Sequence, residues 1–340
     1  MDFAQDRKHI AEYIDIGGEI LYLGRHECEN IGLTRSDILE LTEAALVAHG
    51  QKDYEMPAKI GVHPYDDVFY HAMPAYVPAR AAVGMKWIEC YPNNPAKFDL
   101  PQTTGLLVLN DVMSGCPIAV MDSTWITAMR TPAVTILAAQ KLHPRAKDFG
   151  MFGCGVQGRE HVRFASEHLS TLERIHVYDV DPAAAGGLIA DLSPEVDVEL
   201  VQANTPRDIV ESCELMSSAT IITKETLCVV QDEWVRPGQT ILPCDLNTFW
   251  DPRISRRADR YIVDSLDEHR LFEDMGYFPD GLPAVDCETG EIVAGLRPGR
   301  ASDDELIVCS NIGMAVCDVV VGRAVFDLAL GTDRGIRLTL

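Results

Sequence analysis

The stretch that decides the fold is Phe149-Gly-Met-Phe-Gly-Cys-Gly-Val-Gln-Gly158, followed by Ile175-His-Val-Tyr-Asp179. The first five residues form a short apolar run of strand character. They lead directly into Gly153-x-Gly155-x-x-Gly158, and a helical pattern then continues to Leu169. In such a turn Gly153 permits the sharp bend, Gly155 lets backbone approach a pyrophosphate, and Gly158 allows close helix–strand packing. The helix N-terminus faces the phosphates. Asp179 lies 21 residues beyond Gly158, at the end of the next strand. A carboxylate at that place takes the ribose hydroxyls and repels a 2′-phosphate, so the expected cofactor is NAD rather than NADP.

Working outward, the alternation of strand and helix continues. Helices are expected at 182–192 and 206–213. Strands are expected at 197–201, 215–218, 240–243 and 260–263. This spacing implies a doubly wound parallel sheet. The N-terminal part is different. It reads as a strand at 20–23, a helix capped by Thr34 or Ser36, a meander over 59–90 divided by Pro64, Pro74 and Pro78, and a hairpin at 105–121. Ser123 opens a long helix over 124–142, with Pro132 expected to kink it or mark a joint. Residues 1–14 read as a loose lead-in. The tail at 311–330 is helical and has no sheet of its own. The fold class expected is α/β. A Rossmann domain spans 128–313, and a β-rich substrate-binding and dimerisation domain is formed by 15–127 with 314–340.

Composition bounds the function. The chain has 340 residues, 47% apolar, and a net charge of −23. That surface repels phosphate backbones and anionic lipid, so neither nucleic acid nor a membrane is an expected partner. The N-terminus has no apolar signal segment, and no apolar run approaches bilayer length. The ten cysteines are scattered singly, which suits buried thiols in a reducing, cytoplasmic setting. His63 and His71 offer no third ligand, so no metal is expected.

Charged residues in apolar surroundings mark the candidate substrate site, because burying charge is costly unless it is paired. Lys59 follows Met56-Pro-Ala. His71 and Met73 lie in His71-Ala-Met-Pro74. Lys86 sits inside an apolar strand, Arg130 on an apolar helix, and Asp245 at the end of the apolar strand Leu242-Pro-Cys. Lys86 and Arg130 can converge on a substrate carboxylate. Asp245 is at a strand C-terminus, where open α/β sheets bind ligands. Each has an ordinary alternative. Lys86 could snorkel to solvent, Arg130 could make an ion pair, Asp245 could cap the following turn, and His71 could be a packed histidine.

From about 15 to 330 the chain resembles the ornithine cyclodeaminase/mu-crystallin family, which includes archaeal-type alanine dehydrogenase and ketimine reductases. The resemblance rests on Met73-Pro74-Ala-Tyr, Gly84-Met-Lys86, Thr127-Ala-Met-Arg130-Thr131, Gly153-Cys-Gly155-Val-Gln157, Tyr178-Asp179-Val-Asp181-Pro182 and the strand ending at Asp245. It implies a homodimer whose N-terminal sheets pair, and a C-terminal helix returning to the first domain. It also implies Lys86 and Arg130, more loosely Lys59, as carboxylate binders, and Asp245 as the catalytic carboxylate, with Lys86 beside it in catalysis. Thr131, Gln157 and Asp179 match cofactor contacts. Val156, Ser217, Ser218, Ala219 and Ser310 complete the expected cofactor set.

Two departures stand out. His71 replaces a glutamate that helps to hold the distal ammonium of ornithine, and Asp245-Leu-Asn-Thr-Phe249 lacks a cofactor-side lysine. The function expected is NAD-dependent oxidation of a small 2-amino acid at its C–N bond, or reduction of the imine. The alternatives are cyclodeamination of ornithine or another diamino acid, and a non-catalytic mu-crystallin-like binding protein for a dinucleotide and a small ligand.

Overall fold

The computed structural model of the protein describes residues 2–246 and 248–340. Asn247, within the stretch that lacks the lysine, lies outside the described residues. The chain divides into two compact units. One comprises residues 1–130 with 314–340, and the other 131–313.

The first unit holds a seven-stranded mixed sheet. Six of its strands are β1 (Glu19–Leu23), β2 (Ile60–Val62), β3 (Phe69–Val77), β4 (Ala82–Cys90), β5 (Thr103–Asn110) and β6 (Pro117–Asp122), and the seventh comes from the C-terminal tail. Pro74 does not divide the meander but sits inside β3. The pairing of β2 with β3 stops at Ala72, so Pro74 has a ladder partner on the β4 side only. A missing N–H is tolerated on such an open edge. The long helix Thr124–Leu142 is capped by Asp122, not Ser123. The Asp122 carboxylate accepts from the backbone N–H groups of Thr124 and Trp125. The division between the units falls inside this helix, beside Pro132.

The second unit holds an eight-stranded sheet. Its strands are β7 (Asp148–Phe152), β8 (Arg174–Tyr178), β9 (Glu199–Gln202), β10 (Leu215–Ser218), β11 (Thr240–Pro243), β12 (Arg260–Val263), β13 (Cys287–Glu288) and β14 (Ile307–Ser310). All ladders are parallel, in the order β13-β12-β14-β11-β10-β7-β8-β9. This is the doubly wound arrangement expected. The strand order reverses between β7 and β10, the switch point at which such sheets bind ligands.

The chain then returns to the first unit as the helix Ala315–Ala329, whose apolar residues are buried nearly all round. It packs on β3, β4 and β5 and on the helix Arg35–Gly50, which Thr34 caps. A final strand, β15 (Ile336–Thr339), pairs with β1, so the tail does contribute to a sheet. Residues 2–14 are also not loose. Helix Phe3–Ile10 is capped by Asp2, and its Asp6 pairs with Arg323 of the C-terminal helix. These contacts join segments far apart in sequence, which local patterning does not register. All ten cysteines are free thiols. Among the described residues no helix is long and apolar enough to cross a membrane.

The C-terminal helix lies very close to the sheet. A Cβ at Gly322 would stand 2.0 Å from Cδ2 of Leu107, a fully buried β5 residue. Gly322→Leu should therefore overpack this layer and cost about 1–3 kcal/mol. Urea denaturation should show a lower midpoint; an unchanged one would contradict this packing.

Candidate active site

The glycine turn is built from β7 outward. Gly153 takes φ +95°, and an added Cβ would stand 2.6 Å from the Ala219 carbonyl oxygen. Its N–H donates to Tyr178 O at 2.9 Å, while Ala219 N–H donates to Phe152 O at 2.9 Å. The end of β7 is thus tied to both neighbouring strands. Helix Val156–His168 starts immediately after Gly155, and no side chain caps it. A Cβ at Gly155 would meet nothing within 4 Å, whereas one at Gly158 would strike Gly153 O. The turn therefore has open space before an uncapped helix N-terminus, as a pyrophosphate requires. Val156, the first helical residue, is exposed, and Gln157 follows it.

Asp179 does more than wait for a ribose. One carboxylate oxygen accepts from Cys154 N–H at 2.8 Å, and the other from Asp181 N–H at 3.0 Å. It therefore braces the glycine turn from the next strand. The residues present fit a dinucleotide with free ribose hydroxyls. Thr131 is half-buried on its helix.

The structure uses several of the expected cofactor hydroxyls internally. Ser217 Oγ donates to Leu242 O at 2.8 Å. Ser310 Oγ is 3.0 Å from His269 Nε2. Ser218 Oγ donates to Asp245 at 2.7 Å and accepts from the Trp250 indole N–H at 2.7 Å. All three serines are buried. Their side chains belong to the sheet, because strands this tightly paired leave their hydroxyls facing neighbouring backbone or side chains.

Asp245 follows β11 and is 1% exposed. Its second carboxylate oxygen accepts from Thr220 Oγ1 at 2.6 Å and Thr220 N–H at 3.1 Å. These bonds run back to the end of β10. Burial raises its pKa above the ordinary carboxylate value, and the Thr220 and Ser218 donors oppose the rise. The next residue, Leu246, has φ +57°, a left-handed conformation that costs a non-glycine residue about 1–2 kcal/mol. Thr220 and Trp250 were not singled out by sequence. A hydroxyl after Ser218 carries no signal until β10 and β11 are known to be neighbours.

In the first unit Lys86 lies on the face of β4 that the C-terminal helix covers, with Met73 opposite it on β3. It is 1% exposed, so it does not snorkel. Its Nζ is 2.7 Å from Asp318, and Arg130 Nε donates to the other oxygen of Asp318 at 3.0 Å. Asp318 is fully buried, and sequence reasoning missed it. The signal existed: a lone carboxylate in Ala315-Val-Cys-Asp-Val-Val-Val321 is as anomalous as Lys86 in its strand. Burial lowers the Lys86 pKa to about 7; Asp318 opposes the fall and Arg130 adds to it. Lys59 is buried as well. His71 is buried and stacks on Phe69 with ring centroids 4.1 Å apart. Burial first, then the charges of Lys59, His63 and Lys86, hold its pKa down at about 3. It is therefore a neutral side chain at physiological pH.

Glycine turn, bracing carboxylate and switch point together define a Rossmann-type dinucleotide-binding unit, here joined to a second unit with buried cations. More narrowly, the chain belongs to the ornithine cyclodeaminase/mu-crystallin family, whose model matches residues 23–333. It is 30% identical to a nodulation efficiency protein of Rhizobium meliloti, over 91% of this chain and 95% of that one. It is 28% identical to an alanine dehydrogenase of Archaeoglobus fulgidus, over 94% of this chain and 98% of that one. Among solved structures it is similar to a Δ1-pyrroline-2-carboxylate reductase of Thermococcus litoralis in complex with NADH and L-proline. That match has a TM-score of 0.83 and 25% identity, and covers 93% of this chain and 99% of the other.

Gly153→Ala should distort the turn, because the new Cβ meets backbone at a φ that L-residues avoid. The expected outcome is a lower melting temperature and NAD affinity weaker by about tenfold or more. Calorimetric titration with NAD checks it; wild-type affinity would count against this geometry.

Proposed function

We propose that the protein is an NAD-dependent oxidoreductase acting on the C–N bond of a small 2-amino acid or its imine. The observation that carries this reading is Asp245. A buried carboxylate with a raised pKa, fixed by Ser218 and Thr220 at a strand C-terminus, is placed to hold and release a proton. The similarity to an alanine dehydrogenase and to the reductase solved with NADH and L-proline supports the same chemistry.

The glycine turn and the helix N-terminus after it would hold the pyrophosphate, and Asp179 the ribose. NAD, when bound, supplies the hydride acceptor. The chain's own residues supply the rest. Lys86 and Arg130, with Lys59, bind the substrate carboxylate and so orient Cα. Asp245 takes a proton from the substrate ammonium, leaving the amine whose Cα can give up hydride; in imine reduction it returns that proton. A neutral His71 brings no negative charge to a second ammonium, which disfavours ornithine as substrate. Cyclodeamination of another diamino acid is the second reading. It would use the same residues but release ammonia with no net NADH. We also propose a homodimer through the first unit's sheet, where Ile60, Val62, Trp87 and Leu106 are exposed. A monomeric mass by light scattering would refute that assembly.

One reaction separates the readings: NAD with a panel of 2-amino acids, following NADH and ammonia together. NADH rising with ammonia supports the oxidoreductase, whereas ammonia alone supports cyclodeamination. Asp245→Asn should lower kcat by about 100-fold or more, with NAD affinity unchanged; near-normal turnover would sink the assignment. Asp179→Asn keeps an oxygen for Cys154 N–H but removes the charge. Its preference for NAD over NADP should therefore fall by about tenfold, and unchanged preference would remove Asp179 from that role. Lys86 must be protonated to bind a carboxylate, and its pKa is about 7. KM for the 2-amino acid should accordingly rise as pH increases through that value. A flat KM from pH 6 to 8 would be the contrary result.

A further inference from the structure

Taking the carboxylate-binding role of Lys86 and Arg130 as given, we infer that Asp318 is the positioning residue of that clamp. It holds the two cations together in a place where burial disfavours the charged form of Lys86 and the two positive charges repel each other. The argument starts from the geometry. One oxygen of Asp318 is 2.7 Å from Lys86 Nζ, and the other accepts from Arg130 Nε at 3.0 Å. All three side chains are buried, at 1%, 5% and 0% exposure for Lys86, Arg130 and Asp318. Two like charges in a desolvated space repel each other, and burial favours the neutral amine. A carboxylate between them opposes both effects.

The charge balance gives this arrangement its function. Two cations and one anion leave the trio with a single positive charge, which suits one substrate carboxylate. Arg130 commits its Nε–H to Asp318, so its contact to a substrate carboxylate would have to use other N–H groups of the guanidinium. The carboxylate thus helps to fix the guanidinium plane.

Lys86 is also faced by other groups. Thr127 Oγ1, on the helix that carries Arg130, is 3.4 Å from Nζ. The charge of Lys59 lowers the Lys86 pKa, and Lys86 in turn lowers that of His71 on β3. All these neighbouring charges are cationic or, for His71, neutral. Among the groups named, Asp318 is the one that favours the ammonium form.

Asp318→Asn keeps the size and removes the charge. The test uses the full-length protein carrying 15N in its lysine side chains, with the Lys86 Nζ resonance assigned by its loss in Lys86→Met. The Lys86 titration midpoint in Asp318→Asn is expected to lie lower than in wild type by about one pH unit or more. KM for the best 2-amino acid should rise by about tenfold or more at pH 8 and recover in part at pH 6. Over the same range kcat should change by less than about threefold. NAD affinity should stay at the wild-type value, which a merely structural lesion would not ensure.

Equal Lys86 midpoints in the two proteins overturn the inference, as does a shifted midpoint with unaltered KM. If wild type turns over no 2-amino acid, the functional reading fails instead, and the midpoint alone decides the role of Asp318. If Asp318→Asn does not fold, Asp318→Glu carries the test. The retained charge should keep the midpoint near the wild-type value, and a fall of about one unit would overturn the inference.

Discussion

Ionised groups do not stay in a protein interior unless opposite charge and hydrogen bonds replace the water they lose. Lys86, Arg130 and Asp318 meet that requirement together, and each comes from a different element: β4, the helix Thr124–Leu142 and the helix Ala315–Ala329. Removing one partner of a buried pair costs about 3–5 kcal/mol, because the remaining charge is left uncompensated. The C-terminal helix must therefore lie on this face of the sheet. Gly322, one turn beyond Asp318, lets it lie close enough to do so. Arg323 then binds Asp6 and draws the N-terminal helix against the same layer. A cluster of buried charges thus also fixes the packing of the unit that contains it.

The second unit solves a different electrostatic problem with backbone. Its glycine turn leads into a helix N-terminus without a side-chain cap, with open space at Gly155 and a bend that Gly153 allows by taking a positive φ. Asp179 serves two purposes there. It braces the turn through Cys154 N–H and, in the proposed reading, offers negative charge to the ribose hydroxyls. A few strands away Asp245 is held by donors from β10, with Trp250 behind Ser218. Burial and hydrogen bonding pull its pKa in opposite directions, and burial prevails. A carboxylate in that condition suits proton transfer better than one exposed to water, whose affinity for a proton is too low near neutral pH.

Much of this is legible in the sequence because it is local. A glycine turn needs glycines at fixed spacing, and an acid at the end of the next strand follows from the length of one β-α-β unit. The parallel sheet follows from strands alternating with helices. Lys86, Arg130 and Asp245 stand out because a charge in an apolar run is anomalous on its own. These features determine the fold class, the kind of cofactor cradle and three of the ionisable groups by themselves.

Tertiary structure decides what depends on pairing between distant segments. Lys86 and Asp318 are 232 positions apart in the chain, and no periodicity joins them. The same holds for Asp6 with Arg323, for β15 beside β1, and for Ser218 and Thr220 as the donors that fix Asp245. Ser217 and Ser310 have suitable hydroxyls at suitable strand ends, yet neighbouring residues use them. The physical reason is common to all of these cases. Local propensity and spacing set which elements form, whereas the satisfaction of each buried polar group depends on which elements meet.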